Sequence, residues 1–233
     1  MIKYGKPGLY NADCMEAMKE FPDKFFDLAV VDPPYGDAGI GGEWNRFGER
    51  FDRYKEPTKG PARTGGGYAE KYGREIISWD VAPGKEYFDE LFRVSRNQII
   101  WGGNYFDLPP TRCFLIWHKL TISESFTMSM CEYAWTSFND NAKWFDCAPQ
   151  GTADDQRFHP TQKPVKLYQW VLDKYAEKGF KVLDTHAGSA SSLIACHRAG
   201  IDGCGFEINK GYYQKAKERL EREQAQGNIF ELL

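Results

Sequence analysis

The chain has 233 residues, of which 42% are hydrophobic, 15% aromatic and 27% charged, with a formal net charge of −3. That composition excludes a disordered chain and fits one folded domain with room for an insertion, large enough to need no disulfide or metal staple. No apolar run approaches the roughly 20 residues that cross a bilayer, and the opening MIKYGKPGLYNADC lacks the apolar segment of a secretory leader. Cysteines 14, 113, 131, 147, 196 and 204 form no CxxC pair and no Cys/His cluster, so they read as free thiols in a reducing, cytoplasmic setting, with no metal. With 30 basic against 33 acidic residues, any binding of a polyanion has to come from local charge.

In chain order, short β-branched or aromatic runs alternate with helical stretches, the pattern of an α/β domain on a mostly parallel sheet. Seven strands are expected at 8–12, 26–31, 98–103, 113–118, 132–138, 181–185 and 203–208. Several are almost continuously apolar, which suits strands covered on both faces. Residues 84–94 read as a helix. A second helix is expected with Thr161 as its cap, Pro164 in its first turn, a stripe of Val165, Tyr168, Leu172 and Tyr175, and its end at Gly179. A third spans Gly188 to Ala199 and stops at Gly200. A fourth starts at Asn209, with Ile208 and Tyr213 placed as a hydrophobic staple and Tyr213, Ala216 and Leu220 on one face. Trp117 and Trp135 read as core. Residues 37–79 are too long and too poor in apolar periodicity for an ordinary connector, and 139–160 form a shorter polar stretch.

Three strings carry chemistry. Asp32-Pro33-Pro34-Tyr35-Gly36 directly follows the strand FDLAVV. A stiffened turn would explain the prolines alone. Two prolines also fix φ and remove two donors, leaving rigid carbonyl acceptors beside the Asp32 carboxylate. Such a cradle suits an amino group with two hydrogens to donate, and Tyr35 adds a flat face for a heterocycle. Holding both N–H groups of a nucleobase amine favours a pyramidal nitrogen whose lone pair can attack an electrophile. The second string, KVLDTHAGS over 181–189, runs a strand into Asp184, a small-residue turn and a helix. Ligands of open α/β sheets bind at that edge. Glu207 ends the next strand and is placed to accept from ribose hydroxyls. The GxGxxG fingerprint is absent, which favours a phosphate-free nucleoside such as S-adenosylmethionine over a dinucleotide. The third string, His159-Pro160-Thr161-Gln162-Lys163-Pro164, precedes a helix and is more than a helix start requires.

DPPYG, HPTQKP, LDTHAGS and FEI, in that order, resemble the DNA amino-methyltransferases of the beta group, over about 8–35 and 80–220. The resemblance implies a Rossmann-like methyltransferase fold in a circularly permuted order, the acceptor half preceding the cofactor half. It implies that Asp32, Pro33, Pro34 and Tyr35 hold the target base, with Asp32 also bordering the cofactor. It further implies that Thr161 and Lys163 line the methionine end of S-adenosylmethionine, that Asp184, His186, Gly188 and Ser189 form the cofactor turn, that Glu207 takes the ribose and that Asp13 contacts the adenine. Thr185, His186 and Ala190 depart from the family's usual loop; Ala190 costs little if its φ is negative. Aspartate first in DPPY resembles the adenine-N6 enzymes, with cytosine-N4 transfer the alternative. A weakly active RNA- or DNA-binding subunit, a protein or RNA methyltransferase and a dehydrogenase are the other readings.

The resemblance also implies DNA as partner, often a dimer, and enzymes of bacteria or phages, including restriction-modification systems. The 37–79 insertion carries eight basic and five acidic residues between Glu43 and Arg74, interleaved with aromatics. Arg46, Arg50, Arg53, Lys55, Lys59 and Arg63 are its candidate phosphate contacts. The 139–160 stretch is short for a target-recognition region, so a short recognition site or a weak sequence preference is expected.

Overall fold

The computed structural model describes residues 3–35, 81–124, 129–149 and 157–230. The basic insertion, with all six of its candidate contacts, and Gly36 lie outside the described residues. Among the described residues eight strands form one sheet: β1 (Gly8–Tyr10), β2 (Phe26–Val31), β3 (Ser95–Trp101), β4 (Phe114–His118), β5 (Cys131–Thr136), β6 (Lys143–Asp146), β7 (Lys181–Asp184) and β8 (Asp202–Phe206). Among the described residues five α-helices accompany them: α1 (Cys14–Met18), α2 (Lys85–Val94), α3 (Val165–Tyr175), α4 (Ser191–Ala199) and α5 (Lys210–Phe230). The strand order is β1-β8-β7-β2-β3-β5-β4-β6. Of these eight strands only β5 runs antiparallel to its neighbours β3 and β4, so the mostly parallel sheet is as expected.

The sheet has one strand more than the seven expected. β6, KWFD, falls in the 139–160 stretch and alternates half-buried with exposed residues, a pattern too short and too polar to stand out. It pairs in parallel with β4 at the sheet edge, where one face can stay wet. The short helix α1 was also not expected from periodicity; Asp13 Oδ1 starts it by accepting from the N–H groups of Met15 (2.7 Å) and Glu16 (3.2 Å).

Alternating side chains of the central strands serve two cores. Leu28 and Val30 of β2, Ile99 and Trp101 of β3 and Val182 of β7 pack with α3, α4 and α5. Ala29, Val31, Ile100 and Leu183 pack with α1 and α2 on the other face. Helices on both faces bury every strand in the middle, which is why these runs read as continuously apolar. Trp117 and Trp135 are core residues, their indole N–H groups satisfied by the carbonyls of Cys147 and Pro109.

Several helix ends differ from expectation. Thr161 does not cap α3; Pro164 holds the N-cap position and the helix ends at Tyr175, before Gly179. α4 begins at Ser191, because Gly188 and Ala190 both adopt left-handed backbone. Ala190, with φ 60°, therefore does not have the negative φ that would make it cheap there; an L-residue in that conformation costs about 1–2 kcal/mol. Asn209 does cap α5, its Oδ1 accepting from Gly211 and Tyr212. Ile208 is exposed, so the staple with Tyr213 buries little there, whereas Ala216 and Leu220 are buried as expected.

Candidate transfer site

The sheet topology brings three acids together. β8, β7 and β2 are consecutive neighbours, all parallel. Glu207 follows the last residue of β8, Asp184 is the last of β7 and Asp32 follows the last of β2. With strands about 4.8 Å apart, the acceptor string and the small-residue turn are adjacent at one carboxyl edge of the sheet, as a direct meeting of two ligands requires.

At the β2 end, Tyr35 donates its hydroxyl to Asp32 Oδ1 at 2.5 Å. The other oxygen, Oδ2, accepts from the Lys163 ammonium. Lys163 is 5% exposed and also lies 3.0 Å from Glu132 Oε2 on β5. Glu132 Oε1 meets Lys119, itself buried, at 2.6 Å. The ammonium of Lys163 stands 5.6 Å from the centre of the Trp101 ring. The four charges form an alternating buried chain: Asp32, Lys163, Glu132, Lys119. Burial raises the Asp32 carboxyl above its ordinary value, opposed by Lys163 and reinforced by the Glu132 charge. Burial alone would lower the Lys163 ammonium, but the two carboxylates hold it above its ordinary value. Glu132 is likewise pushed up by burial, yet its two lysines keep it below the usual carboxylate range.

The ring of Tyr35 stacks on Tyr105, centroids 4.8 Å apart at 25°. Tyr105 sits in a 3-10 turn, Gly103–Tyr105, and is 37% exposed. On that face the place expected for a heterocycle is taken by a tyrosine, and a base stacks there only by displacing it. Gly102, with φ 68°, abuts the same ring: a Cβ there would come within 2.1 Å of Tyr35 Cε1.

At the turn after β7, Asp184 accepts from the His186 N–H (3.0 Å) and from the Ser192 hydroxyl. Burial pushes its pKa up to about 6. His186 packs edge-on against Tyr87 at 5.4 Å, and burial lowers its pKa to about 4, so it is neutral at pH 7. Glu207 accepts from Gly188 N–H (3.1 Å) and Asn209 N–H (2.7 Å) and is pushed by burial up to about 7. Each of its oxygens retains lone-pair capacity, which suits a vicinal diol. A Cβ on Gly188 would meet the His159 ring at 3.2 Å. His159 itself is buried and neutral, its pKa lowered by burial to about 3.

The structure distributes the expected residues unevenly. Asp32, Tyr35 and Lys163 come together, and Asp184, His186, Gly188 and Glu207 come together beside them. Pro33 is buried. Lys163 turns to Asp32 and Glu132 rather than to the turn after β7. Ser189 also faces away: its hydroxyl meets Ser191 at 3.0 Å and its carbonyl accepts from Arg219. Thr161 is exposed and bonds the His159 ring. Asp13 is exposed and spends one oxygen on α1, while its charge still reaches His186. Glu132, Lys119 and Tyr105 carry parts of this site and lie outside the motif strings, and His159, which heads the third string, had been given no role there. The one local signal was a charged residue inside the apolar, aromatic strand β5. Among the described residues no group of His, Cys, Asp and Glu could hold a metal ion.

Comparison with known proteins bears on the fold and the family. YubD of Escherichia coli (strain K12), which carries a methylase designation, is 26% identical over 223 residues, covering 90% of this chain and 88% of its own. The type II methyltransferase M.HpaI of Haemophilus parainfluenzae is 42% identical over 65 residues, 28% of this chain and only 21% of that relative's length. The crystal structure of TTHA0409 of Thermus thermophilus, designated a DNA modification methylase and complexed with S-adenosyl-L-methionine, superposes with a TM-score of 0.52 at 20% identity, covering 92% of this chain and 95% of that one. The DNA methylase family profile runs through the sequence from residue 69 to residue 218, well over half of the chain, and this protein belongs to that family.

Proposed function

We propose that this protein transfers the methyl group of S-adenosylmethionine to the N6 amine of an adenine in DNA. The observation that carries the reading is the adjacency of Asp32, Asp184 and Glu207 on three neighbouring strand ends. The residues present suit the cofactor: Glu207 for the ribose, the Gly188 turn for close backbone approach, neutral His186 and Asp13 for the adenosine, and no GxGxxG phosphate loop. S-adenosylmethionine, when bound, supplies an electrophilic methyl carbon on a sulfonium.

The remaining work falls to this chain's own groups. The Asp32 carboxylate and the Pro33 carbonyl accept from the two N–H bonds of the amine and aim its lone pair. The N–C bond forms as the C–S bond breaks, the electron pair passing to sulfur. Asp32 needs no unusual basicity, because a nitrogen that has become cationic sheds its proton readily. A base inside a duplex has to be flipped out to reach this edge, and displaced Tyr105 together with Tyr35 would replace its lost stacking. The aspartate of DPPY supports adenine over cytosine as the acceptor.

The test is transfer of labelled methyl from S-adenosylmethionine to DNA, RNA and protein, followed by identification of the modified nucleoside. N6-methyladenine is expected in DNA. Recovery of N4-methylcytosine would overturn the choice of base, and label only in RNA or protein the choice of substrate. Asp32→Asn is expected to lower kcat by about 10²–10³-fold while leaving cofactor affinity, measured by calorimetry, within about twofold.

A further inference from the structure

The chain of buried charges does not stop at Lys163. Asp32 and Lys163 would suffice as an ion pair, yet Lys163 is held between two carboxylates, and the second, Glu132, is anchored by a second buried lysine, Lys119. Lys163 and Lys119 are each 5% exposed. Glu132 Oε2 lies 3.0 Å from the Lys163 nitrogen and competes with Asp32 for that ammonium. Taking these ions out of water is costly, and a simple packing role would be met more cheaply by apolar residues. We propose that Glu132 is a positioning residue of the transfer site: it draws part of the Lys163 charge away from Asp32, so that the Asp32 carboxylate keeps its capacity to accept from an incoming amine.

The physical reason is competition. A carboxylate fully paired with a single ammonium is a weakened acceptor, because the cation has already polarised its lone pairs. Sharing one ammonium between two carboxylates leaves each with more acceptor strength. Lys119 offsets the surplus negative charge of Glu132 from the far side and fixes its carboxylate on β5. Among the described residues the remaining titratable groups around Asp32 are Tyr35, which donates to Oδ1, and the more distant Asp184 of β7, Tyr87 of α2 and Tyr168 of α3. Of these only Asp184 adds a further negative charge near neutral pH, so Glu132 and Lys163 set the balance.

The proposal rests on Asp32 as acceptor of the amine, and its test is arranged to separate the two. The Asp32 carboxyl is followed by carbon-13 NMR against pH in the ligand-free full chain, assigned with Asp32→Asn. Two variants are compared with the native protein: Glu132→Gln, and Glu132→Gln with Lys119→Met, which removes the outer pair as a neutral unit if the single variant fails to fold. In both, Lys163 is left to Asp32 alone, and the Asp32 midpoint is expected to fall by about one pH unit. The acid limb of the kcat profile for DNA methylation moves the same way, with kcat at pH 7.5 lower by about tenfold and cofactor affinity unchanged. A folded variant whose Asp32 titrates where the native residue does overturns the role of Glu132, whatever the activity. A native protein that shows the NMR shift between variants but methylates no DNA overturns the proposed reaction and leaves the charge sharing intact.

Discussion

Glu207 is the residue whose titration speaks most directly to ligand binding. Burial raises its pKa to about 7 despite the two backbone N–H groups that favour the ionised form. Ribose hydroxyls donate to a carboxylate better than to a carboxylic acid, so a bound nucleoside pulls that pKa down. Affinity for S-adenosylhomocysteine is therefore expected to rise with pH up to about 7 and level off above it. Calorimetry across that window checks this, and Glu207→Ala should remove the slope as well as weaken binding by about tenfold or more. A flat native profile would contradict the assignment of Glu207 to the ribose. The sign for folding is opposite. Its folded pKa exceeds the unfolded value of about 4.5, so between those values the folded state binds more protons, and this group's contribution to stability declines as pH rises through that window.

At the level of elements, the join between β3 and the 3-10 turn decides where Tyr35 can lie. Gly102 combines left-handed backbone with a ring pressed against it, so both strain and clash oppose any side chain. Gly102→Ala is expected to cost about 1–3 kcal/mol, read as a lower urea midpoint, and to push Tyr35 off Asp32. The methylation rate at saturating cofactor should then fall by more than the loss of folded protein explains. Unchanged activity in a folded Gly102→Ala protein would show that Tyr35 is not needed where it stands. The elements themselves were largely legible. Strands over FDLAVV, KVLDT and GCGFEI stood out because both faces are covered and few polar residues interrupt them. β6 and α1 were not: one is a four-residue edge strand with a wet face, the other a five-residue helix made by an Asp13 cap rather than by periodicity. The positive φ of Ala190 was equally invisible, since nothing in an alanine signals left-handed backbone.

For the molecule as a whole, net charge is against DNA while the reading needs it. The surplus of three positive charges between Glu43 and Arg74 is the local exception. If Arg50, Arg53 and Lys55 each neutralise a phosphate, their triple alanine variant should reduce the slope of log K against log salt by about 3. Fluorescence anisotropy with a labelled duplex at several salt concentrations reads that slope, and an unaltered value removes these residues from the interface. Among the described residues, no helix is long and apolar enough to cross a membrane.

The chemistry of the acceptor and of the small-residue turn was written locally. DPPY and LDTHAGS are contiguous strings at strand ends, and their conformational demands (fixed φ, missing donors, small turn residues) act over a few residues. The element order followed for the same reason, because period and capping are properties of short windows. The charge state of Asp32 was not local. It depends on burial and on residues 163 and 132, brought to one edge by a β5 that runs against its neighbours and by a loop that returns before α3. Coulomb forces are strong at such short range only where water is excluded, and which charges share a water-free space is settled when the sheet assembles.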